Sequence, residues 1–243
     1  MSGSGSPLPP AVLFDLDDTL FDHSLTARAA LGHVRARHPY LRTLPLDVLA
    51  REYGRLLEAV QADVLAGRRT VDDARIERFR QLASLAGTSI DASEAAGLSR
   101  EYRSQYQALR RPVPGVRRLL EGLHGRTAIG VVSNNAQQEQ VEKLAFLGLS
   151  SWIDALVVSE AVGVAKPDPR IYEIALARLG VRASETVMVG DSWPNDVRGA
   201  RAAGVRAIWF NRFGAARPEP LPVPELDSYR SRARAEQLLR GDP

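Results

Sequence analysis

The sequence predicts an α/β protein: a parallel-sheet core with helices on both faces, and an all-helical domain inserted early in the chain. Three observations predict it. After Pro112, short apolar runs rich in β-branched residues alternate with stretches of helical period, the rhythm of a parallel sheet with crossover helices. Between about Ser24 and Leu109 that rhythm stops, and apolar residues recur at spacings of three and four. Four polar clusters follow four of the expected strands, and ligands of open parallel sheets bind outside the carboxyl ends of strands.

Taken in order, residues 1–10 are rich in Gly, Ser and Pro and are expected to form a disordered tail. Ala11-Val12-Leu13-Phe14 reads as a buried strand that ends in Asp15. Residues 22–110 read as a separate helical domain of four or so helices. Leu46, Leu49, Tyr53, Leu56, Leu57 and Val60 supply one apolar stripe, and breaks are expected near Pro39, Gly67, Gly87 and Gly97. Residues 11–21 and 111–214 form the α/β core. Its further strands are Ala128 to Val132, Ala155 to Val158, Thr186 to Val189 and Arg206 to Phe210. Its helices are Gln137 to Leu147, Pro169 to Leu179 and Asn195 to Ala203. From Ala215 a Pro-rich tail follows, helix-like near Ser228 to Leu239 and expected to pack on the core.

Composition narrows the function classes. In 243 residues, 44 % are apolar and 25 % charged, as in soluble globular proteins. No apolar run approaches the ~18–20 residues of a membrane span. No basic segment leads into an apolar one at the N-terminus, so a cytoplasmic protein without a secretory signal is expected. The absence of cysteine excludes disulfides, thiolate chemistry and cysteine metal sites. The net charge of +3 comes from arginines scattered among acids, which reads as solvated helix faces and not as a nucleic-acid surface. Lysine occurs only at Lys143 and Lys166, so the placement of Lys166 is informative. The expected partner is a small metabolite, with no nucleic acid and no membrane, bound by a monomer or homodimer.

The polar clusters carry the chemistry. They are Asp15-Leu16-Asp17-Asp18-Thr19-Leu20, Ser133-Asn134-Asn135, Lys166-Pro167-Asp168-Pro169 and Gly190-Asp191-Ser192-Trp193-Pro194-Asn195-Asp196. At the ends of neighbouring strands they would share one crevice. Crowded carboxylates repel unless a cation sits among them, and an all-oxygen donor set suits Mg2+. With the cation bound, one carboxylate can act as a nucleophile. Lys166 can offer a compact positive charge, and the Ser133 hydroxyl a hydrogen bond, to phosphate oxygens.

These clusters resemble the four motifs of the haloacid dehalogenase superfamily, in the same order. Asp-x-Asp-x-Thr at Asp15 to Thr19 resembles the first, Ser133 the second, Lys166 before proline the third, and Gly190-Asp191 with Asp196 the fourth. The resemblance covers roughly residues 11–21 and 112–214. It implies a Rossmann-like core and a phosphatase that passes through a phospho-aspartate. Asp15 would be the nucleophile. Asp17 would be the acid and base, its backbone carbonyl also binding Mg2+. Asp191 would be a direct metal ligand, and Asp196 a ligand or a nearby acidic partner. Thr19 would support the first loop and stand with the phosphate-binding residues. Ser133 and Asn134 would hold the phosphoryl group, and Lys166 would neutralise it. The helical segment between the first two motifs resembles the early-inserted cap, which would contact the rest of the substrate.

Other readings compete. A sugar phosphomutase shares all four motifs. A carbon–halogen hydrolase on the same fold needs neither Asp17 nor the Asp191 and Asp196 pair. A phosphonatase needs a cap lysine, and none occurs from Phe21 to Arg110. A catalytically idle binding protein would not need the full acid set. Asp18 reads as a solvated or capping acid and stays outside the catalytic set. Trp193 reads as a packing residue ahead of one lining the entrance, Phe21 and His23 equally as hinge or surface residues or as substrate contacts, and Asn211 and Arg212 as structural loop residues. The context of the first motif resembles the nucleotidase-like branch, so a nucleotide or sugar phosphate is the expected class of substrate.

Overall fold

The computed structural model describes residues 6–65 and 68–242. The first five residues of the expected tail, the break expected near Gly67, and Pro243 lie outside the described residues. The chain divides into two compact units, one formed by the chain up to Asp22 and from Arg111 onward, the other by His23–Arg110.

The first unit opens with β1 (Ala11–Phe14), buried along its whole length. In the second unit the chain runs through α1 (His23–Arg37), a 3-10 turn at Pro39–Thr43, α2 (Leu46–Leu65), α3 (Val71–Leu85) and α4 (Ala92–Ala108). Its core draws on Leu31, Val34, Leu49, Tyr53, Phe79, Leu82, Leu98 and Tyr102, all buried and spaced three or four apart within each helix. Caps set the helix starts. Thr70 accepts from the Asp73 amide at 3.0 Å, and Asp91 accepts from the Glu94 amide at 2.8 Å. The break expected at Gly97 is absent, for the residue lies inside α4. Its Cβ position is open, so glycine there costs only its propensity of about 1 kcal/mol, which the buried Ala95, Leu98 and Tyr102 outweigh.

Back in the first unit the order is α5 (Val116–Leu123), β2 (Ala128–Ser133), α6 (Gln137–Phe146), β3 (Ala155–Val158), α7 (Ser159–Val162), α8 (Pro169–Leu179) and β4 (Thr186–Gly190). A π-helical turn at Trp193–Arg198 leads into α9 (Gly199–Ala202), then β5 (Arg206–Phe210), β6 (Glu225–Leu226) and α10 (Arg232–Arg240). The strands pair in parallel in the order β3-β2-β1-β4-β5-β6. The expected parallel sheet with helices is therefore what forms. One face packs Leu13, Val132, Met188 and Trp209 against Ile171, Tyr172, Ala175 and Val197.

Several details differ from the reading of the sequence. The sheet gains β6, two residues within the Pro-rich tail, and α5 was not foreseen. The helix expected from Asn195 to Ala203 begins as the π-turn. Ser6 to Pro10 are held to the core: the Pro9 carbonyl accepts from Thr127 at 2.5 Å, Pro10 from the Ala128 amide at 2.9 Å and Ser6 from Arg240 at 2.7 Å. No helix among the described residues is long and apolar enough to cross a membrane.

Candidate active site

The chain leaves β1 toward β2 and β3 on one side and toward β4, β5 and β6 on the other, so β1 ends at a topological switch point. Phe14 lies opposite Val131 of β2 and Val189 of β4. Asp15 therefore emerges between Ser133 and the Gly190-Asp191 pair, and its amide still donates to the Val189 carbonyl at 2.9 Å. Immediately beyond, the chain folds on itself. The Leu20 and Phe21 amides both donate to the Leu16 carbonyl, at 2.9 and 2.8 Å. This needs a left-handed residue, and Asp18, with φ 61°, is of a type that tolerates it.

Lys166 is the hub of the charges. Its buried Nζ donates to Asp15 Oδ1 at 2.5 Å and to Asp196 Oδ1 at 2.6 Å. Asn134 holds the lysine from behind: its Nδ2 donates to the Lys166 carbonyl at 2.8 Å, and its Oδ1 accepts from the Lys166 amide at 2.7 Å. Both ends of that side chain are thus committed to Lys166, whereas it was expected to grip a phosphoryl group. Asp196 reaches the lysine because the π-turn carries it back over the end of β4, where its Oδ2 accepts from the Ser192 amide at 2.9 Å. Gly190 makes room, since a Cβ there would collide with the Asp196 carboxyl.

Asp191 is fixed on three sides. Its amide donates to Thr19 Oγ1 at 3.1 Å, the same hydroxyl lies 3.3 Å from its Oδ1, and Trp209 Nε1 donates to its carbonyl at 2.8 Å. Thr19, read as a residue of the phosphate-binding set, is fully buried and engages Asp191 instead.

One carboxylate oxygen from each of Asp15, Asp191 and Asp196 lies within 4.8 Å of the other two. Burial pushes the Asp15 carboxyl up to about 7, with Asp196 and Asp17 adding to the rise and Lys166 opposing it. Burial, then the charges of Asp15, Asp196 and Asp18, raise Asp191 as well. Burial alone would lower Lys166, but Asp15 and Asp196 outweigh it and hold the ammonium charged. Three acids around one ammonium leave excess negative charge, and the ligand atoms the acids offer are oxygens. A hard divalent cation fits that donor set.

Asp17 faces α6. Its Oδ1 accepts from Lys143 Nζ at 2.6 Å, and its Oδ2 from Gln140 Nε2 at 3.0 Å and Asn135 Nδ2 at 3.2 Å. Gln140 Nε2 also donates to Ser133 Oγ at 2.6 Å. Sequence reasoning missed Gln140 and Lys143. The scarcity of lysine that pointed to Lys166 applied equally to Lys143.

The remaining residues separate clearly. Asp18, read as a solvated or capping acid, is buried and contributes to the field at Asp191. Trp193 packs edge-on against Trp209 with ring centroids 5.1 Å apart. Phe21 is buried with the Lys143 ammonium 5.1 Å from its ring centroid, while His23 Nδ1 lies 2.7 Å from the Tyr106 hydroxyl within the helical unit. Asn211 closes its loop through the Ala215 backbone and Glu225, and Arg212 pairs with Asp22.

The family model described as haloacid dehalogenase-like hydrolase matches residues 9–204. A phosphoserine phosphatase from Thermus thermophilus is 33 % identical over 235 residues, covering 88 % of this chain and 93 % of its own. A ribulose-1,5-bisphosphate 5-phosphatase from Halopiger xanaduensis is 30 % identical, covering 96 % of this chain and 93 % of its own. Among solved structures, the putative HAD-hydrolase YfnB from Bacillus subtilis superposes with a TM-score of 0.75 at 24 % identity, over 96 % of this chain and 99 % of that one, a likeness of fold.

Proposed function

The chain belongs to the haloacid dehalogenase-like hydrolase family, on its phosphatase side, and from that premise we propose that it hydrolyses a small phosphorylated metabolite, of the nucleotide or sugar phosphate class, in two steps through a phospho-aspartate. The observation that carries this is the arrangement of Asp15, Lys166, Asp191 and Asp196: a buried carboxylate at the end of the central strand, bonded to an ammonium and set among acids that call for a cation.

In the first step an Asp15 carboxylate oxygen attacks phosphorus, and the bond to the ester oxygen breaks. Asp17 gives that oxygen its proton, and the alcohol leaves. In the second step water attacks the phosphorus of the acyl phosphate while Asp17 takes its proton. Inorganic phosphate departs and the Asp15 carboxylate is restored. Lys166 spreads positive charge over Asp15 and the transferring group, and the Ser133 hydroxyl offers a hydrogen bond to its oxygens. Asn134 holds the Lys166 backbone and Asp196 its ammonium. Asp15, Asp191 and the Asp17 backbone carbonyl would hold Mg2+, with Asp196 alongside. Bound there, Mg2+ supplies charge neutralisation to the carboxylates and to a phosphate oxygen. Asp17 also favours phosphate over carbon–halogen chemistry, since a halide leaves without a proton. A cytoplasmic setting agrees with the cysteine-free composition.

Turnover of p-nitrophenyl phosphate or acetyl phosphate, with Mg2+ and with chelator, tests the reading. Metal-dependent phosphate release is expected, and Asp15→Asn is expected to abolish it with an unchanged circular dichroism spectrum. No turnover of any phosphate ester, or full activity of the variant, would remove the assignment.

A further inference from the structure

The surroundings of Asp17 hold more than the proposed reaction has used. Gln140 and Lys143 stand three residues apart on α6, so they share one helix face. With Asn135 they put three donors on the two oxygens of one carboxylate. Lys143 is buried, although lysine is among the residues least often buried. Burying an ammonium costs several kcal/mol unless it is paired. Here its stem is enclosed, Phe21 lies beneath it, and its charge meets Asp17 at 2.6 Å and Glu139 at 3.4 Å. An aspartate side chain left free would exchange between staggered rotamers and aim at the reacting oxygens only part of the time. The three donors restrict it to one orientation. Through Gln140 they also link it to the Ser133 hydroxyl.

Resting on the phosphatase reading, we propose that Lys143 is the principal positioning residue of the reaction. With Gln140 and Asn135 it fixes the Asp17 carboxylate in the orientation from which a proton is passed to the leaving alcohol. Lys143 acts only through Asp17 and touches no reacting atom. Its effect is therefore specific to the leaving group. An alkoxide needs a proton as it departs, whereas p-nitrophenolate leaves without one.

The experiment is rapid-quench measurement of phosphoryl transfer to Asp15 in the Mg2+-loaded full-length enzyme. Two substrates are compared, p-nitrophenyl phosphate and the best alkyl phosphate from a metabolite panel, in the wild type, Lys143→Met and Asn135→Ala. Misplacement of a catalytic group by an ångström costs on the order of 100-fold. In Lys143→Met, transfer from the alkyl ester is expected to fall about 10–100-fold, with transfer from the aryl ester within about 3-fold and KM nearly unchanged. Equal losses on both esters, or a rise in KM alone, would overturn the assignment and leave Lys143 a structural residue. Should Lys143→Met fail to fold, Asn135→Ala, at a half-buried site, is expected to discriminate in the same direction with smaller amplitude. Lack of discrimination there would overturn the proposal as well. Failure of the wild type to transfer phosphate from any ester would instead bring down the function itself, and the positioning role with it.

Discussion

Asp22 is a buried acid held between two arginines. It is 2 % exposed, and its carboxylate lies 3.2 Å from Arg111 and 3.2 Å from Arg212. Nearby, the Asp22 amide donates to the Arg111 carbonyl at 3.0 Å and the Val113 amide to the Leu20 carbonyl at 2.9 Å, so the outgoing and returning segments of the first unit are stitched together. Arg212→Met would leave this carboxylate with Arg111 alone, itself half exposed. A loss of about 3 kcal/mol in urea unfolding is expected, as for removing one partner of a buried ion pair. A loss below about 0.5 kcal/mol, the range of an ordinary surface change, would demote the pair. Which residues could be read from the sequence follows from what determines them. Asp15, Ser133 and Asp191 each sit at or just after a strand end, Lys166 stands just before a helix, and Asp196 follows the Gly190-Asp191 pair, all of them patterns that a sequence displays. What Thr19, Asn134 and Lys143 touch depends on side-chain directions across three separate segments, and no local pattern encodes that.

At the scale of elements, the π-turn does the least expected work. A regular helix from Asn195 would have matched the apolar spacing of Val197 and Ala200, and that spacing is what the sequence displays. The wider turn follows from the Ser192 carbonyl, which accepts from the Val197 amide at 3.3 Å as well as from the Asp196 amide at 2.7 Å. Its purpose is to bring Asp196 over Gly190. Gly190→Ala would put a methyl group where the Asp196 carboxyl lies, forcing that carboxyl off Lys166 or moving the end of β4. A drop in kcat/KM on the order of 100-fold is expected, as for displacing a reacting constellation by an ångström. Near-wild-type kinetics would show that the Asp196–Lys166 bond is dispensable. The strands β1 to β5 were legible because each is built on an apolar run, most of it buried on both faces. β6 was not, since two residues amid prolines carry no period. Gly97 misled because a lone glycine in a helix is a cost, not a stop signal, when its neighbours are buried.

The whole molecule feels the site through protons. Ordinary aspartate titrates near 3.8, and burial carries Asp15 to about 7 in the metal-free fold, with Asp191 shifted in the same direction. A carboxyl whose folded value is raised binds its proton more tightly when folded. The stability it contributes is complete below its unfolded value near 3.8 and is lost as pH rises through about 7. The metal-free protein should therefore weaken across that window. A divalent cation bound as proposed would compete with the same protons for the same oxygens, so Mg2+ should stabilise little near the acid end and most above neutrality. By mass action, a concentration about 100 times the Kd is worth about 2.7 kcal/mol once the carboxylates are free to bind. The measurement is the difference in Tm between Mg2+ and chelator across that pH range. It is expected to grow with pH and level off above about 7, and Asp191→Asn should flatten it by removing one of the two shifted ligands. A difference that stays constant with pH would mean that Mg2+ stabilises the protein at some other place. The buried acids would then no longer count as the cation site, and the reaction proposed here would lose its electrostatic basis.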